Sequence, residues 1–105
     1  MSQASVSKVL FKKVAFIGLG LIGSSLARVI VAEQLASEIV ASTRSKKTLQ
    51  DAKVLGLIQQ GYANPEEAVQ GADLIVLALP VRATQKVLEQ IKPYLAENVI
   101  ITDVG

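Results

Sequence analysis

VAFIGLGLIG, residues 14–23, joins an apolar run to three glycines, and each glycine meets a separate need of one tight turn. Val14, Ala15, Phe16 and Ile17 read as a buried strand. The strand runs into Gly18-x-Gly20-x-x-Gly23, and a helical repeat opens inside the glycine pattern. Gly18 lets the backbone turn out of the strand through dihedrals that a Cβ would obstruct. Gly20 leaves no side chain between backbone N–H groups and an incoming pyrophosphate, and Gly23 lets the helix lie close against the strand it has left. The helix N-terminus then offers unpaired N–H groups and a partial positive charge to that pyrophosphate. A glycine-rich turn with no ligand is the alternative. The strand before it and the helix after it are the context that a dinucleotide site requires. Gly18, Gly20, Leu21, Ile22 and Gly23 are the residues expected to line it.

The rest of the 105-residue chain suits a single domain around that turn. Half of its residues are hydrophobic and only 19% are charged, a balance that argues against disorder. Aromatics make up just 4%, so the core must be built from Val, Ile, Leu and Ala, as suits parallel strands buried on both faces. A net charge of +2 with no aromatic platform gives no reason to expect a nucleic-acid partner. With no Cys and no His, disulfides, thiol chemistry, the usual zinc sites and the commonest general acid–base residue are all excluded. No stretch approaches the roughly 18 apolar residues of a membrane span. The polar start, followed by an apolar run broken by Lys12 and Lys13, does not read as a secretory signal. Cytoplasmic residence and no membrane partner are the expectations.

Beyond a lead-in at residues 1–12, strand and helix alternate. Strands are predicted at 13–18, 39–42, 61–63, 74–79 and 98–102. Helices are predicted at 21–35, 46–55, from Pro65 to near Gly71, and from Ala83 to Ile91 or Leu95. In the first helix Ile22, Leu26, Val29, Ile30 and Val31 form a broad apolar face. Ser45 or Thr43 is suited to cap the second helix, and Asn64-Pro65-Glu66-Glu67 has the cap, the proline and the carboxylates of a helix start. Apolar strands alternating with helices predict an α/β, doubly wound, mostly parallel sheet of the Rossmann type, in the order 3-2-1-4-5. Ligands of such sheets bind outside the carboxyl ends of the strands. That rule selects residues 18–23, 43–47, 79–82 and 102–105.

The end of the second strand is the most informative of these. A carboxylate there, about 20 residues past the glycines, would bond the adenosine ribose hydroxyls of NAD or FAD. Thr43-Arg44-Ser45-Lys46-Lys47 stands there instead, and the next acid, Asp51, lies well into the helix. Arginine forks onto a phosphate, and hydroxyls and a helix N-terminus add further bonds. The position favours a ribose 2′-phosphate, hence NADP with NAD as the alternative; a solvated basic turn is the competing explanation. Leu79 and Pro80 sit where the chain passes the cofactor, although Pro80 also simply ends a strand. Ser24 and Ser25 suit phosphate or helix packing. Asp103 suits the nicotinamide side of the crevice or the cap of a following turn. Glu66 and Glu67 read as surface charges on a helix dipole. No carboxylate pair and no nucleophile with a base beside it can be assembled, so no catalytic and no metal-binding residue is assigned.

GLGLIGSSLA (18–27), TLQDAKVLGLI (48–58), EEAVQGADLIVLALPV (66–81) and ITDVG (101–105) together resemble the prephenate dehydrogenases, a family that includes the arogenate and cyclohexadienyl dehydrogenases of tyrosine biosynthesis. The resemblance covers residues 13–105 and implies that this stretch is the dinucleotide-binding domain of such an enzyme. Arogenate enzymes that use NADP carry a Ser-Arg pair where this chain has Thr43-Arg44, and a later Thr that matches Thr48. It implies an oxidative decarboxylation with hydride transfer to the nicotinamide. It also implies a catalytic His and a helical domain, past the Asp-Val-Gly motif, that binds prephenate or arogenate and dimerises. Neither has a counterpart in these residues. The chain is therefore expected to be a catalytically inactive cofactor domain, truncated before its substrate domain, with exposed apolar surface near the last strand that favours self-association. A nucleotide-sensing regulatory module and the cofactor domain of a 3-hydroxyacid dehydrogenase are the competing classes.

Overall fold

A computed structural model of the chain describes residues 9–104; residues 1–8 of the expected lead-in and Gly105 of the expected closing segment lie outside the described residues. Among the described residues ten elements follow one another: β1 (Phe11–Ile17), α1 (Gly20–Ala32), β2 (Ala36–Ser42), α2 (Lys46–Val54), β3 (Gln60–Tyr62), α3 (Pro65–Ala68), β4 (Leu74–Leu77), α4 (Val81–Ile91), a 3-10 turn (Lys92–Tyr94) and β5 (Ile100–Asp103). The five strands form one sheet in the order β3-β2-β1-β4-β5. Every neighbouring pair is parallel. The expected fold class and strand order are both observed, and the chain reverses its direction of travel across the sheet between β1 and β4.

Alternation along the strands divides the core in two. Val14, Phe16, Ile39, Ala41, Leu74 and Val76 pack on one face with Ala27 and Ile30 of α1 and Ala52 of α2. Ala15, Ile17, Val40, Ile75 and Leu77 pack on the other with Ala68 of α3 and Ile91 of α4. A near-continuous apolar run is what a strand covered on both faces needs.

Several boundaries differ from those predicted, for identifiable reasons. β1 begins at Phe11, ahead of the predicted start, because Lys12 and Lys13 lie at the rim of the sheet. There their backbone N–H groups donate to the two carboxylate oxygens of Asp73, each at 2.8 Å, and the Lys13 ammonium donates to the Gln70 carbonyl at 2.7 Å. β2 is longer than predicted, since Phe11 pairs with Ala36. β3 is a three-residue edge strand shifted one position earlier. Gln59 anchors it: its Oε1 accepts from the Ile39 N–H at 2.6 Å, and its own N–H donates to the Ile39 carbonyl at 2.8 Å. α4 begins at Val81, two residues before the predicted start, because Pro80 serves as its N-cap residue.

The apolar face expected of α1 is corrected. Gly23, Ala27 and Ile30 are the residues that face the sheet, while Ile22, Val29 and Val31 are exposed. The small Gly23 and Ala27, four residues apart, let the helix come close, with Ile30 and the partly buried Leu26 packed on the same core.

Candidate functional site

The glycine turn stands at the carboxyl ends of β1 and β4, where the strand order reverses. Gly18 has φ +79°, and a Cβ on it would lie 2.5 Å from the Ala78 carbonyl oxygen. Its N–H donates to the Ser42 carbonyl at 2.8 Å, and the Ala78 N–H donates to the Ile17 carbonyl at 2.9 Å. Those bonds tie the ends of β2, β1 and β4 together. Gly23 is the close-approach glycine, but its nearest neighbour is the Ala78 Cβ, at 3.0 Å from an added Cβ, with Phe16 of β1 further off at 3.9 Å. The tight packing is against the segment following β4 as much as against the strand just left.

Gly20 differs from both. It has φ +52° and nothing within 4 Å of where its Cβ would be. It opens α1, and the preceding Leu19 supplies no side-chain cap for the first N–H groups of the helix. Gly20 lines a cavity of about 300 Å³ together with Leu19, Leu21, Ile22, Gly23, Ala78, Leu79, Pro80 and Val104. Three of the four predicted post-strand segments thus meet in one place. Pro80, the N-cap residue of α4, is the part of that helix start that reaches it.

A second cavity, of about 260 Å³, lies on the far side of Leu79, which lines both. Its walls are Ile17, Ser42, Thr43, Arg44, Ala63, Asn64, Pro65, Leu79, Val87 and Gln90. Thr43 and Arg44 are together here as expected. The Thr43 hydroxyl accepts from the Ser45 N–H at 2.9 Å and donates to the Ser45 carbonyl at 3.1 Å. This bond holds the turn so that Arg44 stands exposed at the cavity's edge. Arg44 forms no ion pair among the described residues.

The remaining predicted residues are dispersed. Ser45, rather than Thr43, caps α2, its Oγ accepting from the Thr48 N–H at 3.1 Å. Thr48 lines a separate cleft of about 140 Å³ between α1 and α2, with Ser24, Arg28 and Asp51 among its walls. The Lys47 ammonium pairs with Asp51 at 2.9 Å, one turn down the helix. Lys46 faces the groove beside Gly61 at the sheet edge. Asp103 belongs to β5, in register with Leu77.

Glu66 stands in the first turn of α3, as a dipole partner would, but it is half-buried rather than a free surface charge. Its Oε2 accepts from the Gln90 amide at 2.9 Å, and its Oε1 is shielded from solvent with no partner among the described residues. The bond from Gln90, with the Glu66 backbone N–H, holds its carboxyl below the usual carboxylate range. Asn64 precedes α3 as predicted, but its amide donates to Glu67 at 3.4 Å instead of capping the helix. The same post-strand rule, applied after β3, points to Ala63, Asn64 and Pro65. Val87 is legible only as an inward-facing residue of α4, and Gln90 carries no sequence signal, because only the packing of α4 brings it to the cavity.

The arrangement can hold phosphates on backbone N–H groups and a flat ring between apolar walls. Among the described residues no three potential metal ligands cluster, and no helix is long and apolar enough to cross a membrane.

Comparison with known proteins agrees with this fold. The profile of the family described as "NADP oxidoreductase coenzyme F420-dependent" matches residues 13–104. A cyclohexadienyl dehydrogenase of Zymomonas mobilis is 39% identical over 95 residues, which cover 90% of this chain and 32% of that protein. The crystal structure of Synechocystis arogenate dehydrogenase superposes with a TM-score of 0.78 at 29% identity, covering 89% of this chain and 32% of the other. That of an A. aeolicus prephenate dehydrogenase in complex with hydroxyphenyl propionate and NAD+ superposes with a TM-score of 0.79, covering 88% and 32%; at 23% identity it speaks for the fold. The resemblance drawn from the four sequence motifs is borne out. The chain spans about a third of the length of these relatives.

Proposed function

Because the chain belongs to the family described as "NADP oxidoreductase coenzyme F420-dependent", we propose that residues 13–105 are the dinucleotide-binding domain of an oxidoreductase of the prephenate/arogenate dehydrogenase type. The carrying observation is Gly20: at the uncapped start of α1, a backbone with open space where a Cβ would stand suits a pyrophosphate. Gly18, Leu21, Ile22 and Gly23 complete that cradle, with Leu79 and Pro80 opposite. The adenosine then passes Leu79 into the second cavity, with its ribose beside Thr43 and Arg44.

NADP is the cofactor this reading assigns. Arg44 is exposed at the ribose position, no acid stands at the end of β2, and Asp51 is engaged by Lys47. Thr43 orients the turn and Ser45 caps the helix beside it, whereas Thr48 faces the separate cleft between α1 and α2. The nicotinamide, when bound, supplies the hydride acceptor. These residues bind and orient it and leave acid–base work to others, since the chain has no His. Prephenate or arogenate is the proposed substrate of the whole protein, bound outside these residues. Self-association through the half-exposed Ile100 and Ile101 of β5 is proposed as well. A strictly monomeric species in concentrated solution by sedimentation would contradict it.

Titration of NADP and NAD against the chain and its Gly20→Asp variant tests the site. Asp tolerates the left-handed backbone better than most residues but places a carboxylate where phosphate is expected. The wild type binds and the variant does not, while both stay folded by circular dichroism. Binding of equal strength to both proteins contradicts the assignment.

A further inference from the structure

We infer that Gln90, held in place by Glu66, reads the edge of the adenine ring and makes the second cavity selective for adenine over other purines. The inference rests on the dinucleotide reading above, and deepens it by naming a base-specificity device. A carboxylate can only accept hydrogen bonds, so the 2.9 Å contact must be made by the Gln90 Nε2, which fixes which way the amide faces. One Nε2 hydrogen is spent on Glu66. The other, and the carbonyl Oε1, form no hydrogen bond with a described residue. They offer a donor and an acceptor on a side chain that lines the cavity. Adenine presents the complement along one edge, the N7 acceptor beside the N6 amine, and glutamine pairs with that edge through two bonds. A purine carrying an oxygen at position 6 would set that oxygen against the Gln90 carbonyl.

The cavity suits such a ring in other respects. Ile17, Pro65, Leu79 and Val87 give it apolar walls, and Thr43 and Arg44 stand where the ribose would leave it. Glu66 acts through Gln90 and is a positioning residue. Its half-buried place between α3 and α4, with one oxygen shielded and unpartnered, is hard to account for as a surface charge. It is explained if its task is to hold an amide.

The test is calorimetric titration of NADP and NAD, each beside its hypoxanthine counterpart, in which oxygen replaces the N6 amine. The wild-type chain is expected to prefer the adenine form about tenfold for both cofactors. Gln90→Met, at an exposed position and of similar volume, should bring the ratio close to one by weakening the adenine forms. Glu66→Leu should lower the ratio, and Glu66→Gln, which keeps an acceptor for the Gln90 amide, should restore it. A merely structural role would weaken both forms alike. Equal affinities in the wild type, or an unchanged ratio in Gln90→Met, would overturn the inference while leaving dinucleotide binding intact. No binding of any of the four nucleotides would overturn the dinucleotide reading and this inference with it.

Discussion

The carbonyl oxygen of Ala78 lies 2.5 Å from where a Cβ on Gly18 would stand. One glycine therefore serves two purposes, a left-handed turn out of β1 and the close approach of the segment that follows β4. Replacing it by Ala should cost roughly 2–4 kcal/mol, combining backbone strain with overpacking against main chain that cannot easily move. Gly71 has a similar φ of +76° but open space around it, so Gly71→Ala should cost only about 1–2 kcal/mol. Urea unfolding of the two variants checks the difference, and equal losses would mean that the contact with Ala78 contributes nothing.

Asp73 should make stability depend on acid. Burial pushes its carboxyl up, but the N–H groups of Lys12 and Lys13 and the Lys12 charge outweigh that and hold it below the ordinary aspartate range. A group whose folded value is depressed contributes stability above its unfolded value, near 3.9, and loses it as pH falls through the folded value. Asp73→Asn should cost about 1–2 kcal/mol at neutral pH, after allowance for its partial exposure. The gap between variant and wild type should shrink below about pH 4. A constant gap from neutral to acid pH would show that the charge plays no part.

Lys46 and Lys47 should matter little to cofactor choice. Lys47 is occupied by Asp51 and Lys46 faces the groove by Gly61, so neither is directed at the ribose. Alanine at either position should weaken NADP by less than about threefold, the scale of a screened surface charge. A larger loss in fluorescence titration would return these lysines to the site.

The strand order was legible because five apolar runs alternate with helices and one glycine turn fixes where the first of them ends. The inward face of α1 was not. Ile22, Val29 and Val31 are as apolar as Ile30, and periodicity cannot reveal that the close approach of Gly23 and Ala27 rotates them outward. Thr43, Arg44, Leu79 and Pro80 were found by a rule about strand ends. Thr48 followed from family likeness, and it faces a different cleft. Glu66 was misjudged because its position in a short helix suggests a dipole partner, whereas its actual partner, Gln90, is 24 residues away in sequence. Side-chain pairs between distant helices leave no local pattern.

The proposed function turns on NADP being held through Arg44. Its most direct test is the dissociation constants of NADP and NAD for the wild-type chain and for Arg44→Asp, measured side by side. A charged hydrogen bond contributes roughly 1.5–3 kcal/mol, about ten- to a hundredfold in affinity. The wild type should prefer NADP, and Arg44→Asp should weaken NADP by at least that factor while sparing or improving NAD. Preference for NAD in the wild type, or equal losses for both cofactors in the variant, would contradict the account.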